Sequence, residues 1–355
     1  MWLFSKKKSK KSLGVDIGSQ GIRVVELFKE KDRILLNNYA ELEMDASQKE
    51  SFECFDKRTL LPSSKNVASG LQAIFSEGKI ETREAIFSLP DFSTFFTSFS
   101  VPPMTMKELP DAVNFEAKKH IPIPFDEVVL DWELIGENVN EAEGENRVLV
   151  MAIAKTLISE YKKIAQEAGI TIVSLEAEVM GLKRAILGDK KEAICLVEIG
   201  YQSTTVNIVN NGFLIASVSF EIAGKDLTYS IAEAFGIENK EAEILKKKTG
   251  LIRQPDEKVA ESLIPIFDII IEKMSTVIYD FEYKNKKPLE EIVLAGGTSI
   301  MPGIEKYFQE KFSGKKVSVG NAFEKIFYPQ ELKPLLPDLN SRFSIALGEA
   351  LKRFE

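Results

Sequence analysis

The chain has 355 residues, 44% of them apolar and 28% charged, with a formal charge of −8. That size gives room for two cored domains in a soluble globular protein. No apolar run approaches a membrane span, and the acidic balance opposes wholesale nucleic-acid binding. One histidine, His120, and two cysteines, Cys54 and Cys195, exclude a histidine metal site, a Ser-His triad, a disulfide framework and a zinc cluster. They fit a reducing cytoplasm.

The chain opens on a basic tail, residues 1–12. Met1-Trp2-Leu3-Phe4 precedes Lys6, Lys7, Lys8, Lys10 and Lys11. The order is wrong for a secretory signal. It leaves two readings, a solvated tail or a peripheral foot on an anionic membrane through residues 1–11, where each lysine adds about 1 kcal/mol. Leu13–Ile17, Ile22–Phe28 and Ile34–Glu43 then read as three strands, the last two joined by Glu30-Lys31-Asp32. Residues 45–66 are polar and loop-rich, and Cys54 has no nearby partner there. Asn66–Gly78 reads as a helix and Glu84–Leu89 as a strand.

Residues 92–150 have a different character and read as an inserted small α+β subdomain. Phe95, Thr97, Phe99 and Val101 alternate with Phe96, Ser98 and Ser100, a strand period. Phe95, Phe96 and Phe99 are candidates for a partner-peptide groove, although aromatics in a short strand more often fill a core. Thr105-Met106-Lys107-Glu108 predicts a capping box. It opens a helix through Leu109, Val113 and Ala117 that Pro122 ends, with His120 near its end. Asp126–Ile135 and Arg147–Ile153 read as strands around a polar hairpin loop, Gly136–Asn146. The first lobe, residues 13–91, resumes over 151–190. A helix at Thr156–Ala168 is stopped by Gly169, followed by a strand at Ile170–Leu175 and a helix at Ala177–Leu187.

Residues 191–355 repeat the opening order and read as a second lobe. Ile194–Ile199, Thr205–Val209 and Phe213–Ile222 form three strands, with Asn210-Asn211-Gly212 as a hairpin turn. Asp226–Phe235, Glu238–Lys248 and Asp256–Lys284 make a helical subdomain over about 225–288. Glu291–Leu294 is a strand, the Pro-rich stretch from Tyr328 to Pro337 a loop, and Ser341–Phe354 a closing helix with small packing residues. Three antiparallel strands followed by helices and parallel strands, twice over, predict a duplicated α/β fold.

The repeat carries the chemistry. Val15-Asp16-Ile17-Gly18-Ser19-Gln20-Gly21 and Val197-Glu198-Ile199-Gly200-Tyr201-Gln202-Ser203-Thr204 each place an acid at a strand end before a glycine turn. Gly18 and Gly21 let backbone amides approach a polyanion. Ser19, Gln20, Ser203 and Thr204 add side-chain donors. Asp16 and Glu198 would repel a polyphosphate unless a cation, Mg²⁺ held through water, lay between. A third element, Leu294-Ala295-Gly296-Gly297-Thr298-Ser299-Ile300-Met301-Pro302-Gly303, runs a strand into bare backbone before a helix starting near Pro302. A planar ring or a phosphate fits there. Glu243 and Lys246 share a helix face; read alone, they fit an exposed ion pair better than contacts to a ribose and a base.

These elements in this order resemble the actin/Hsp70/sugar-kinase ATPase superfamily. Within it the chain is similar to the PilM family of type IV pilus assembly proteins. The carrying residues are the Lys-rich start before Leu13–Gly18, Val24-Val25-Glu26-Leu27, Val101-Pro102-Pro103-Met104-Thr105 with Glu108-Leu109, Phe115-Glu116-Ala117, Ile121-Pro122-Ile123-Pro124-Phe125 and Ala165–Ile170. The resemblance implies a duplicated ribonuclease H-like fold with two lobes, ATP and Mg²⁺ as cofactors, and a place at the inner face of the cytoplasmic membrane. It implies phosphate turns at Asp16–Arg23 and Glu198–Thr204, with Gly224 and Lys225 opening the next helix. It makes Leu294–Gly303 an adenosine motif, puts Glu243 and Lys246 on the nucleotide, and reads Phe343–Leu351 as a connecting helix. Its implied partners are a PilN-like N-terminal cytoplasmic peptide, held by a cleft beside the inserted subdomain, and pilus platform and motor proteins. Two departures bear against efficient hydrolysis. Glu198 stands where the family carries Asp, moving the carboxylate by roughly 1 Å, and Ala223-Gly224 replaces a double glycine. An FtsA-like division scaffold and a small-molecule kinase using Asp91, Asp126 or Asp131 are the rival readings.

Overall fold

The computed structural model describes residues 11–43, 54–56, 59, 61–135, 146–253 and 257–355. The rest of the basic tail, most of the Gly136–Asn146 loop and Asp256 lie outside the described residues.

The first sheet begins as a meander of β1 (Lys11–Gly18), β2 (Gly21–Glu30) and β3 (Arg33–Glu43). Ser12 to Ile17 are buried without alternation, as expected of a central strand covered on both faces. After α1 (Ser64–Glu77), β4 (Glu84–Leu89) returns parallel to β1, and β8 (Thr171–Ala177) adds parallel to β4. The second sheet repeats the plan. β9 (Ile194–Ile199), β10 (Thr204–Asn210) and β11 (Phe213–Phe220) form the meander, while β12 (Glu291–Ala295) and β13 (Lys316–Val319) lie parallel beyond β9. Strand orders are β3-β2-β1-β4-β8 and β11-β10-β9-β12-β13, so the sheets correspond strand for strand. Asn211 and Gly212 have φ of 53° and 81°, the two positive values a primed hairpin turn requires. β13 has four residues, too few for the alternation that would have exposed it.

The inserted subdomain is a third sheet of β5 (Thr94–Val101), β6 (Val128–Leu134) and β7 (Asn146–Ala154), in the order β5-β7-β6. α2 (Leu109–His120) covers one face, where Val113 and Ala117 meet Phe99, Val148 and Val150. The Thr105 amide and hydroxyl donate to Glu108 at 2.9 and 2.7 Å. This closes a separate turn, so α2 starts at Leu109 after the capping residues. Leu149 and Met151 of β7 instead join the core of the second lobe, and Phe96 packs against it.

Gly169, at φ 71°, ends α3 (Lys155–Ala168). In the second lobe α5 (Gly224–Phe235), α6 (Asn239–Thr249) and α7 (Glu257–Asn285) form the helical part, and α8 (Ile304–Lys311) follows the third glycine turn. The end of the chain differs from expectation in two ways. The Pro-rich loop contains a short 3₁₀ turn leading into α9 (Leu336–Arg342), and Phe343 separates α9 from α10 (Ser344–Leu351). Moreover, α10 packs on the first sheet. Ala346, Leu347 and Ala350 share a cluster with Val25 and Leu27 of β2, so the expected second lobe of 191–355 gives its last helix to the first. α10 also crosses α4 (Glu178–Ile186). A Cβ on Gly348 would stand 1.9 Å from the Gly181 carbonyl oxygen. Among the described residues no helix is long and apolar enough to cross a membrane.

Candidate functional site

The β1–β2 and β9–β10 turns face one cleft of about 720 Å³, open mouth included. Asp16, Gly18, Ser19, Gln20 and Arg23 line it from the first sheet, and Glu198, Gly200, Tyr201, Gln202 and Ser203 from the second. Gly296 and Gly297 complete it from the third glycine turn. The strand ladders explain the convergence. Asp16 pairs with Arg23 across β1 and β2, and Glu198 with Thr205 across β9 and β10, so both acids sit at the same register beside a turn.

The glycines have separate reasons. Gly296, at φ 83°, would put a Cβ 2.5 Å from Glu198 Oε1, whereas Gly297 has nothing within 4 Å and leaves bare backbone to the cleft. A Cβ on Gly21 would stand 2.2 Å from the Leu42 carbonyl oxygen, so that glycine serves the close approach of β3. Gly224 and Lys225 donate their amides to the Gly200 and Tyr201 carbonyls at 3.0 and 2.8 Å, seating α5 on the second turn.

Three acids, Asp16, Glu178 and Glu198, line the cleft, and a fourth, Asp91, is buried against Glu178. Asp16 accepts from the Ser88 hydroxyl at 2.8 Å and lies 3.8 Å from Arg23. Its burial outweighs both and raises its pKa. Burial, then repulsion from Asp91 and Asp16, pushes Glu198 up to about 8. Asp91 is pushed up to about 7 by burial, against the Val179 amide that donates to it at 3.2 Å. Glu178 is held well above the carboxylate range by burial and then by Asp91, and it accepts from the Asp91 amide at 3.1 Å. Glu178 carries no motif, and the sequence offered Asp91 only as one acid of the kinase reading. Both directly follow or nearly follow the carboxyl ends of parallel strands, β8 and β4. That position is the signal that marks cleft residues in open α/β sheets.

These acids repel one another, so the donor set fits a cation arriving with a polyphosphate. Among the described residues no group of three or more His, Cys, Asp or Glu side chains is placed to hold a metal ion. Asp16 and Glu198 therefore fit a metal held through water better than a direct protein cage.

Several expected contacts stand elsewhere. Gly21, Thr204, Gly224, Lys225, Glu243, Lys246, Thr298 and Pro302 do not line the cleft. The Thr204 hydroxyl donates to the Ile222 carbonyl at 2.7 Å. Lys246, 4% exposed, donates to the Gly224 carbonyl and Thr228 hydroxyl at 2.9 Å each and pairs with Glu243 at 2.6 Å. Its ammonium ties α6 to the first turn of α5. The Pro302 carbonyl accepts from Leu251 at 2.8 Å. Phe95, Phe96 and Phe99 do not face one groove. The strand period sends Phe95 and Phe99 toward α2, where Phe99 stacks on His120 at 4.9 Å, and Phe96 toward the second lobe.

Residues 14–354 match the family described as type IV pilus assembly protein PilM. Among solved structures, the chain is similar to the PilM-PilN type IV pilus biogenesis complex at 21% identity and TM-score 0.82, covering 98% of this chain and 99% of that one. It is similar to the ethanolamine utilization protein EutJ of Carboxydothermus hydrogenoformans at 16% identity and TM-score 0.55, over 96% and 89% of the two chains. MreB5 of Spiroplasma citri bound to ADP gives 14% identity and TM-score 0.55, over 98% and 97%. The cell division protein FtsA of Staphylococcus epidermidis is 22% identical over 223 residues, 57% of this chain and 47% of that protein. The chain thus spans about half the length of the curated relatives it matches. The two sheets of identical order and these neighbours share the duplicated, two-lobed actin-like ATPase fold.

Proposed function

The chain belongs to the PilM family of type IV pilus assembly proteins, and on that premise we propose that it is a nucleotide-binding, actin-like scaffold of a pilus assembly platform. Its place is the inner face of the cytoplasmic membrane, and its partner is the N-terminal tail of a PilN-like protein. One observation carries the nucleotide reading: two equivalent acid–glycine turns from two equivalent sheets face each other across one cleft. In this reading Gly18, Ser19 and Gln20 grip phosphates from one side, and Gly200, Gln202 and Ser203 from the other. The open backbone at Gly297 takes the nucleoside. Asp16 and Glu198 would hold Mg²⁺ through water, and Mg²⁺ arriving with ATP would supply the charge neutralisation that the acids lining the cleft require.

The inserted subdomain supports the partner reading. It grows from the first lobe, yet Leu149, Met151 and Phe96 pack into the second, and Arg147 donates to Asn285 of α7 at 3.0 Å. A change of lobe angle therefore loads the subdomain that stands beside the partner cleft. Contact with motor proteins, and with the membrane through residues 1–11, belongs to the same proposal. The FtsA likeness covers a little over half of the chain, whereas the PilM match covers residues 14–354.

Calorimetric titration of ATP·Mg²⁺ tests the cleft. The wild-type chain binds saturably, and Asp16→Ala abolishes binding. Unchanged affinity in that variant contradicts the reading.

A further inference from the structure

Arg342 lies outside every motif in the sequence, yet it lines the cleft beside Ser341, Ser344 and the first phosphate turn. We propose that Arg342 is a second polyphosphate-binding arginine, which a nucleotide draws away from a set of carboxylates on β3 and α9. The proposal rests on the nucleotide reading of the cleft and adds a residue to it.

Charge sets the need. Among the described residues lining the cleft, the acids are Asp16, Glu178 and Glu198 and the cations are Arg23 and Arg342. A triphosphate entering this field needs more positive charge than one guanidinium supplies, and guanidinium matches phosphate oxygens two at a time. Arg23 is already engaged, at 3.8 Å from Asp16 and 2.9 Å from Glu41. Arg342 pairs with Glu41 at 2.6 Å, Glu43 at 3.2 Å and Asp338 at 3.5 Å. Glu41 therefore bridges the two arginines, one carboxylate oxygen to each. Glu43 and Asp338 are 51% and 52% exposed, so water holds them down as competitors. These two pairs exchange readily for a phosphate, whereas Glu41, 14% exposed, is the carboxylate that a phosphate has to displace. Arg342 also immediately precedes Phe343 and α10. A guanidinium moving from carboxylate to phosphate thus pulls on the start of a helix that crosses α4.

Binding of ATP, ADP and AMP, each with Mg²⁺, is measured by calorimetry on the full chain and on Arg342→Ala, Arg342→Lys and Glu43→Gln. The expected result is a loss of about tenfold or more for ATP in Arg342→Ala, a smaller loss for ADP, and AMP within about twofold of wild type. Arg342→Lys recovers part of the ATP affinity. Glu43→Gln removes a competing carboxylate and tightens ATP by about twofold to threefold. If Arg342→Ala does not fold, the lysine and Glu43 variants carry the test with the opposite signs stated. Wild-type ATP affinity in Arg342→Ala, or an equal loss for ATP and AMP, overturns the role of Arg342 and leaves the nucleotide cleft standing. Failure of the wild-type chain to bind any of the three overturns the cleft reading and this inference with it.

Discussion

Asp16 and Glu198 occupy matching places in the two sheets, but their surroundings differ: Asp16 has Ser88 and Arg23, whereas Glu198 faces Asp91 and Asp16. Burial and that repulsion lift Glu198 from its ordinary 4.5 to about 8, and burial lifts Asp91 from 3.8 to about 7. Between the ordinary and the lifted values the folded chain holds protons that the unfolded chain has released. The stability that these two acids contribute is therefore fully present below about pH 4, falls as pH rises through the window, and levels off above about pH 8. The melting temperature of the nucleotide-free chain is expected to drop across that range. Glu198→Gln should remove its share of the slope, at most about 1.4 kcal/mol per pH unit. A melting profile as steep in that variant as in wild type would contradict the assignment. Under the proposed function, affinity for ATP·Mg²⁺ is expected to run the other way and rise with pH over the same interval, because the cation wants the acids ionised. Sequence alone reached Asp16, Glu198 and the glycine turns, since each motif is local and occurs twice. It could not reach the commitment of the Thr204 hydroxyl to Ile222 or the burial of Lys246, because both depend on residues distant in the chain.

The meanders were legible as elements because their turns are written in the residues, Asn211-Gly212 most plainly. The elements that escaped are those that tertiary packing decides. Prolines 334 and 337 read as loop, yet Pro337 sits in the first turn of α9, where a missing amide costs little. Phe343 breaks the expected closing helix as its ring meets Tyr39 edge-on at 5.4 Å, a contact no periodicity reveals. The crossing of α4 and α10 depends on an absent side chain. A Cβ on Gly348 would lie 1.9 Å from the Gly181 carbonyl oxygen and 2.7 Å from its Cα. Gly348→Ala must push the two helices apart, and about 1–3 kcal/mol of stability should be lost in denaturant titration. Gly297→Ala, with nothing within 4 Å of the new methyl, should leave the denaturation midpoint nearly unchanged. Equal stability in the two variants would show that the crossing relaxes freely.

At the scale of the whole molecule, duplication explains how much was readable. A repeated strand order and a repeated turn imply two lobes and a cleft between them before any coordinate is known. The tie between the inserted subdomain and the second lobe was hidden, because it rests on packing of Phe96, Leu149 and Met151 and on an Arg147–Asn285 hydrogen bond between residues 138 apart in the chain. Under the proposed function that tie is the route of coupling: ligand in the cleft would bias the lobe angle, the lobe angle the subdomain, and the coupling would act equally in reverse. Calorimetric titration of the N-terminal tail peptide of the PilN-like partner, with and without ATP·Mg²⁺, measures this directly. Saturable binding with an affinity that differs between the two states is the predicted result. No binding in either state, from a chain that still binds ATP, would contradict the account.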